Sequence, residues 1–372
     1  MKPNQEVDFS RLSPRWRIPR LNRRSWLRGA AAFSVAGVWG CARGGQKGGA
    51  GWPQPRFVRT NGIRLAVYHQ GKGLPIVFSH GFPELAFSWR HQLVGLSGAG
   101  IHAIAPDQRG YGLTDRPPAI EAYTLRQICA DLAGLLDALR IKRAIFCGHD
   151  WGGAVVWMMP LRYPERVAGV IGLNTPFGPR PPVAPLARLR QAFGERHYIV
   201  AFQEPGVAEA ALGRDVRKTF TLLMRRGGLM DAEAFARLPP ESPERRFDLL
   251  ALLERDEFPG EMFLSAAELD YFVETYERTG FAGGVNWYRN IDRNWEESAG
   301  LEYRINVPCL MISAEDDVVL PPSAADGMER LIPDLEKRVI PDCGHWTQQE
   351  KPDEVNRLIL EWVRRRFPKG VA

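Results

Sequence analysis

The sequence predicts an α/β protein, with a mostly parallel central sheet flanked by helices and a mainly helical segment inserted late. Three observations carry that prediction. Short apolar, β-branched runs alternate with helix-like segments from Phe57 onward. Several of these runs are continuously apolar, as strands covered on both faces are. The alternation stops near Asn174 and resumes at Val307.

In chain order, "RLAVYH", "PIVFSH", "IHAIAPD", "AIFCGHD", "VAGVIGLN", "PCLMISAED" and "KRVIPDCGH" read as strands. Between them, "LRQICADLAGLLDAL" from Leu125 to Leu139 repeats apolar residues every three or four positions, the pattern of an amphipathic helix. Strand and helix in alternation give parallel pairs joined by right-handed crossovers. After Asn174 the proline-rich "NTPFGPRPPVAPLARL" breaks the rhythm, and helix-like sequence without clear strands runs to about Trp295. Within it, "LPPESPERR" reads as a loop between helices. The expected organisation is a leader and linker over 1–50, a core over 51–175 and 296–372, and a helical lid over 176–295. Such a lid would cover a site at the carboxyl edge of the sheet.

The net charge of +6 would suit a nucleic-acid or membrane partner, but its distribution argues otherwise. Residues 1–50 hold ten Lys/Arg against two Asp/Glu, and the remaining chain holds 39 against 41. The folded part is nearly neutral, so no nucleic-acid partner is expected. The leader "RLNRRSWLRGAAAFSVAGVWGCARGG" sets arginines before an apolar stretch from Gly29 to Gly40, too short to span a bilayer. Arg23–Arg24 followed by Trp26 and Leu27 resembles the twin-arginine export motif, departing from it at Asn22 and Trp26. The expected location is therefore outside the cytoplasm, in the periplasm, cell envelope or beyond. Any membrane attachment would run through the leader or a lipid on Cys41, which closes "VWGC". The alternative is a basic tail on a cytoplasmic enzyme. Five cysteines without a CxxC pair imply neither a zinc site nor a disulfide framework.

Three short motifs carry the chemistry. In "GHDWGG", Asp150 sits where a G-x-nucleophile-x-G elbow places its reactive side chain, between a strand and a helix. Asp after a strand is also a good helix N-cap. In "MISAEDDVVLPP", Asp317 follows a strand end, with Glu315 and Asp316 as competitors. In "IPDCGHWTQQEKP", His345 lies in a glycine-flanked loop. The order nucleophile, acid, histidine is the triad order of the α/β-hydrolase fold. The N–H of Trp151 and that of Phe82, in "FSHGFPE", are the expected oxyanion donors. Glu84 beside that loop either orders water near the site or has a plain surface or hydrogen-bonding role.

The motifs "HGFPE", "DQRGYG", "GHDWGG", "YPERV", "FQEPGVAEA", "NWYRN", "SAEDD" and "CGHWTQ" resemble the hydrolase domain of soluble epoxide hydrolases, α/β-hydrolase superfamily members. The resemblance runs from about Phe57 to Phe367, lid included, with no counterpart to the N-terminal phosphatase domain of vertebrate members. It implies two lid tyrosines, Tyr198 and Tyr288, that protonate the leaving oxygen. Read without the resemblance, ordinary amphipathic packing is the favoured account of each tyrosine.

A carboxylate nucleophile suits this chemistry. With an ordinary pKa near ~4 it is already charged at neutral pH, and it attacks a saturated carbon directly. The alkoxide leaving an epoxide needs a proton, which phenols supply. The expected product is a vicinal diol, formed through an ester on Asp150 that His345-activated water hydrolyses. No metal or organic cofactor is required, and the expected partners are a small hydrophobic epoxide and water. A haloalkane or haloacid dehalogenase would use the same Asp-His-Asp set, but a halide needs no proton and leaves the tyrosines idle. A non-catalytic exported binding protein is the reading from another class, and it would lack a triad member or a tyrosine.

Overall fold

The computed structural model describes residues 52–226 and 232–369. The leader, its paired arginines and Cys41 lie outside them. The strands are β1 (Arg56–Thr60), β2 (Ile63–Gln70), β3 (Leu74–Ser79), β4 (Ile101–Asp107), β5 (Ala144–His149), β6 (Val167–Leu173), β7 (Arg225–Arg226), β8 (Glu261–Met262), β9 (Cys309–Ala314) and β10 (Leu335–Ile340). Eight of them form one sheet in the order β1-β2-β4-β3-β5-β6-β9-β10. Only β2 runs against its neighbours; the other pairs are parallel.

Helices α1 (Arg90–Ser97), α2 (Leu125–Ala138) and α3 (Trp151–Arg162) connect β3 through β6. The α2 helix starts at Thr124, whose side chain accepts the Gln127 N–H. Between β6 and β9 lie α4 (Pro185–Phe193), α5 (Tyr198–Ala201), α6 (Val207–Gly213), α7 (Val216–Leu223), α8 (Ala232–Arg237), α9 (Leu249–Leu252), α10 (Ala266–Thr279), α11 (Ala282–Arg289) and α12 (Ile291–Glu297). Helices α13 (Thr347–Glu350) and α14 (Pro352–Arg366) follow β10.

Strand β5 shows why these segments read as continuously apolar. Ile145 and Cys147 pack with Leu93 and Leu96 of α1 and with Leu358 and Trp362 of α14. Ala144 and Phe146 pack with Leu132 and Leu136 of α2 and with Val155 and Met159 of α3. Both faces are dry, and each large apolar side chain buried this way contributes about 1.5–3 kcal/mol.

Two strand features depart from the sequence expectation. Edge strand β1 was not among the expected strands, because only Val58 and Thr60 of its five residues face inward. The inserted segment holds the short β7–β8 pair, two residues on each side. Neither alters the architecture.

Strand order decides where a site can form. From β3 the chain steps to β4 on one side and later to β5 on the other, so the loops after β3 and β5 diverge. A crevice opens at such a switch point, beyond the carboxyl ends of the strands. Phe82 and Asp150 both lie there.

Candidate active site

Asp150 links β5 to α3 with φ 51° and ψ −123°, a left-handed backbone that a non-glycine residue adopts only under constraint. The constraint is visible. Thr175 Oγ1 donates to the Asp150 carbonyl at 2.7 Å. A side chain on Gly152 would run into the backbone of Ser79 and His80, so glycine lets α3 press against the end of β3. The Phe82 N–H donates to Asp150 Oδ1 at 2.8 Å, and the Trp151 N–H also faces the carboxylate. Gly81 has no room for a Cβ beside that carboxylate. Both expected oxyanion donors therefore meet at Asp150.

His345 approaches from the loop after β10. Its Nδ1 lies 2.9 Å from Asp317 Oδ2, and its Nε2 lies 3.9 Å from Asp150 Oδ2. Asp317 is buried, and its Oδ1 accepts the N–H groups of Val319 and Leu320 at 2.9 and 3.0 Å. Among the three adjacent carboxylates, Asp317 holds the imidazole; Glu315 instead accepts the Asp342 N–H, and Asp316 lines the cavity wall. Asn174 Nδ2, which sequence reasoning missed, donates to Asp317 Oδ2 at 2.6 Å and to the His345 carbonyl at 3.0 Å.

Charge follows from this geometry. Burial pushes the Asp150 carboxyl above its ordinary range, against the opposing pull of His345, His149 and the two N–H donors. Burial alone would lower His345, but the Asp317 carboxylate, with Asp150 behind it, raises the imidazole well above its usual range. Burial likewise opposes ionisation of Asp317, and the imidazole overcomes it and holds the carboxyl low.

Tyr198 and Tyr288 come together over Asp150, their ring centroids 5.6 Å apart. Tyr288 packs edge-on against Phe82 and Trp151 at 5.3 and 5.1 Å. Both phenols are pushed upward by burial first, with the Asp150 charge adding to it, so both hold their protons at neutral pH. The cavity they share is walled by Leu222, Leu223, Phe235, Phe247, Leu249, Leu252, Val318 and Trp346. Among the described residues, no cluster of three or more His, Cys, Asp or Glu side chains is placed to hold a metal ion.

Comparison with known proteins places this arrangement. Residues 75–352 match the family described as alpha/beta hydrolase fold. The chain is 46% identical to epoxide hydrolase A of Mycobacterium tuberculosis, over 84% of its own length and 98% of that protein. It belongs to the epoxide hydrolases of the α/β-hydrolase superfamily. To bifunctional epoxide hydrolase 2 of Mus musculus it is 42% identical over 81% of its length, spanning 54% of that longer protein. The crystal structure of epoxide hydrolase A from Mycobacterium thermoresistibile matches with a TM-score of 0.74 at 41% identity, covering 84% of this chain and 98% of that one.

Within this epoxide hydrolase, two supporting residues took unexpected places. Glu84 does not face the cavity; it is fully buried, with Gly81, His149, Gln348 and Gln349 around its carboxylate. Its burial removes the expected surface role, and its carboxylate is hydrogen-bonded within the protein. His149, just before the nucleophile, drew no attention in sequence because it reads as the last residue of a strand. The one available signal was the doubled glutamine after "CGHWT", two amides in a segment that is otherwise core.

Proposed function

We propose that Asp150 is the nucleophile of epoxide hydrolysis, with Asp317 and His345 as the acid–base pair and Tyr198 and Tyr288 as proton donors. The observation that carries this assignment is one apolar cavity in which a carboxylate, an imidazole and two protonated phenols converge. Phe82 holds Oδ1, so Oδ2 is free to attack a ring carbon. The C–O bond to Asp150 forms as the ring C–O bond breaks. The released electron pair goes to the ring oxygen, which takes a phenolic proton.

Alkylation then prepares the second step. It removes the Asp150 charge, which is one of the influences keeping His345 protonated, so the imidazole becomes a better base. The 3.9 Å separation from Asp150 leaves His345 in reach of the ester through one water. That water adds to the ester carbonyl, and the N–H groups of Phe82 and Trp151 hold the oxyanion, each contributing ~3 kcal/mol by analogy with other such donors. His345 takes a proton from that water and returns it to the diol oxygen expelled as the intermediate collapses; the proton freed as Asp150 reionises restores the phenol.

The apolar walls favour a hydrophobic epoxide, and helices α4–α12 act as a lid that keeps bulk water from the ester. We further propose that the leader exports the enzyme, on the strength of Arg23–Arg24 and the apolar stretch behind them. The chemistry is tested by single turnover of a styrene-oxide-type or fatty epoxide in oxygen-18 water, beside a haloalkane. Label entering Asp150 but not the first diol is expected, with no diol from Asp150→Asn and little halide release. Label appearing directly in that first diol would remove the ester route.

A further inference from the structure

One residue in the cavity wall holds a backbone conformation that its side chain disfavours. Phe247 has φ 52°, in the left-handed region, where a bulky residue is an outlier. The turn around it enforces this. The Arg246 N–H donates to the Ser242 carbonyl at 3.1 Å, the Phe247 N–H to that of Glu244 at 3.0 Å, and the Asp248 N–H to that of Pro243 at 2.7 Å. This closure is the Schellman pattern, whose left-handed position is usually glycine. Asp248 then pins the turn from beyond. Its side chain accepts the Ala251 N–H at 3.0 Å, which starts α9, and pairs with Arg196 at 2.5 Å. Phenylalanine in this conformation costs stability that glycine would not, and such strain concentrates where ligands are gripped.

The ring and the carbonyl of Phe247 face different tasks. The ring lines the apolar cavity and packs with Phe193 of α4, His197 and Phe235 of α8, at centroid separations of 6.0, 6.0 and 5.4 Å. His197 in turn stacks on Tyr198 at 5.0 Å. The Phe247 carbonyl accepts the Tyr198 N–H at 3.0 Å. As the first N–H of the four-residue α5, it has no acceptor inside its own helix. The next N–H, that of Ile199, is taken by His197 Nδ1 at 3.2 Å. In so short a helix these two acceptors decide where the Tyr198 side chain starts.

We propose that Phe247 is a specificity-determining and positioning residue: its ring receives the substituent of the epoxide while its carbonyl sets the proton donor Tyr198. The inference rests on the proton-donor role given to Tyr198 above. In the ring series Tyr288, Tyr198, His197, Phe247, the receiving wall lies two contacts beyond the nearer phenol. An aryl or comparably broad apolar substituent spans that distance and gains aromatic contact at its far end. A small aliphatic epoxide gains only what the carbonyl supplies. Because the turn is closed by three main-chain hydrogen bonds and pinned at Asp248, ring and carbonyl keep one register, so the substituent is measured from the same residue as the phenol.

Two substitutions separate the tasks. Glycine keeps the left-handed turn and removes the ring, whereas valine keeps apolar bulk but, being β-branched, resists the left-handed backbone. Denaturant melts of the full chain need no turnover, and they should place Phe247→Gly above Phe247→Ala, as relief of left-handed strain requires. Stopped-flow single turnover then compares styrene oxide with propylene oxide. Phe247→Gly should lower the alkylation efficiency toward styrene oxide at least tenfold more than toward propylene oxide. Phe247→Val should slow saturated alkylation by both epoxides at least fivefold, and ester hydrolysis by less. A wild-type enzyme that forms no Asp150 ester with either epoxide would remove the underlying reading and this one with it. Where the wild type does form the ester, a Phe247→Gly preference within twofold of wild type overturns the inference alone. So does Phe247→Val alkylation within twofold of wild type, or a Phe247→Ala variant that melts above Phe247→Gly.

Discussion

At Asp150 the backbone and the side chain serve one end. The left-handed turn projects the carboxylate out of the sheet, and the Phe82 N–H then turns one oxygen away from the substrate. In the proposed reaction the phenols above it matter because an alkoxide is a poor leaving group and must be protonated. Tyr288→Phe should slow alkylation by roughly 10²-fold, within the span of general acid catalysis, while hydrolysis of preformed ester changes little; stopped-flow single turnover separates the two. The Asp317–His345 pair also carries a stability signature. His345 is raised on folding, so its contribution is whole below the unfolded value of about 6.5 and is lost as pH rises through the folded one. Asp317 is lowered, so its contribution is whole above about 3.9 and is lost as pH falls. The stability difference between wild type and His345→Gln should therefore peak between those values and shrink on the alkaline side, as denaturant melts across pH would show.

At the scale of elements, the site depends on how closely β3, β5 and α3 approach one another. Gly152 is the contact at which α3 meets the end of β3, with no space for even one added carbon. Gly152→Ala should destabilise the protein by about 1–3 kcal/mol, the usual cost of overpacking, and should slow alkylation by displacing the Phe82 loop. Chemical denaturation and single turnover of the same variant check both. Periodicity made the buried strands and α2 legible in sequence because each packs on a continuous apolar surface. Strand β1 escaped because it is a five-residue edge with two inward positions, too few to set a period. The tyrosines were legible only through their motifs, since an amphipathic helix presents aromatic residues whether or not they react.

For the whole molecule, the proposed reacting groups Asp150, Tyr198, Tyr288, Asp317 and His345 come from five separate stretches of chain, joined where the strand order reverses around β3. The proposed export is separable from catalysis. In a bacterial host with a working twin-arginine pathway, the wild-type chain should reach the periplasm folded and active, and Arg23→Lys with Arg24→Lys should remain cytoplasmic; fractionation and N-terminal analysis of the mature chain decide it. By itself the sequence determined the α/β alternation, the helical insertion, and the order of an aspartate elbow, an acidic cluster and a glycine-flanked histidine, because strand burial and turn chemistry are local and leave a periodic record. Only the tertiary structure chose Asp317 over its two neighbours and took Glu84 out of the cavity. It also brought His149 and Asn174 to the back of the site. A hydrogen-bond partner far along the chain leaves no spacing to read, and it exists only once the sheet and the inserted helices close around it.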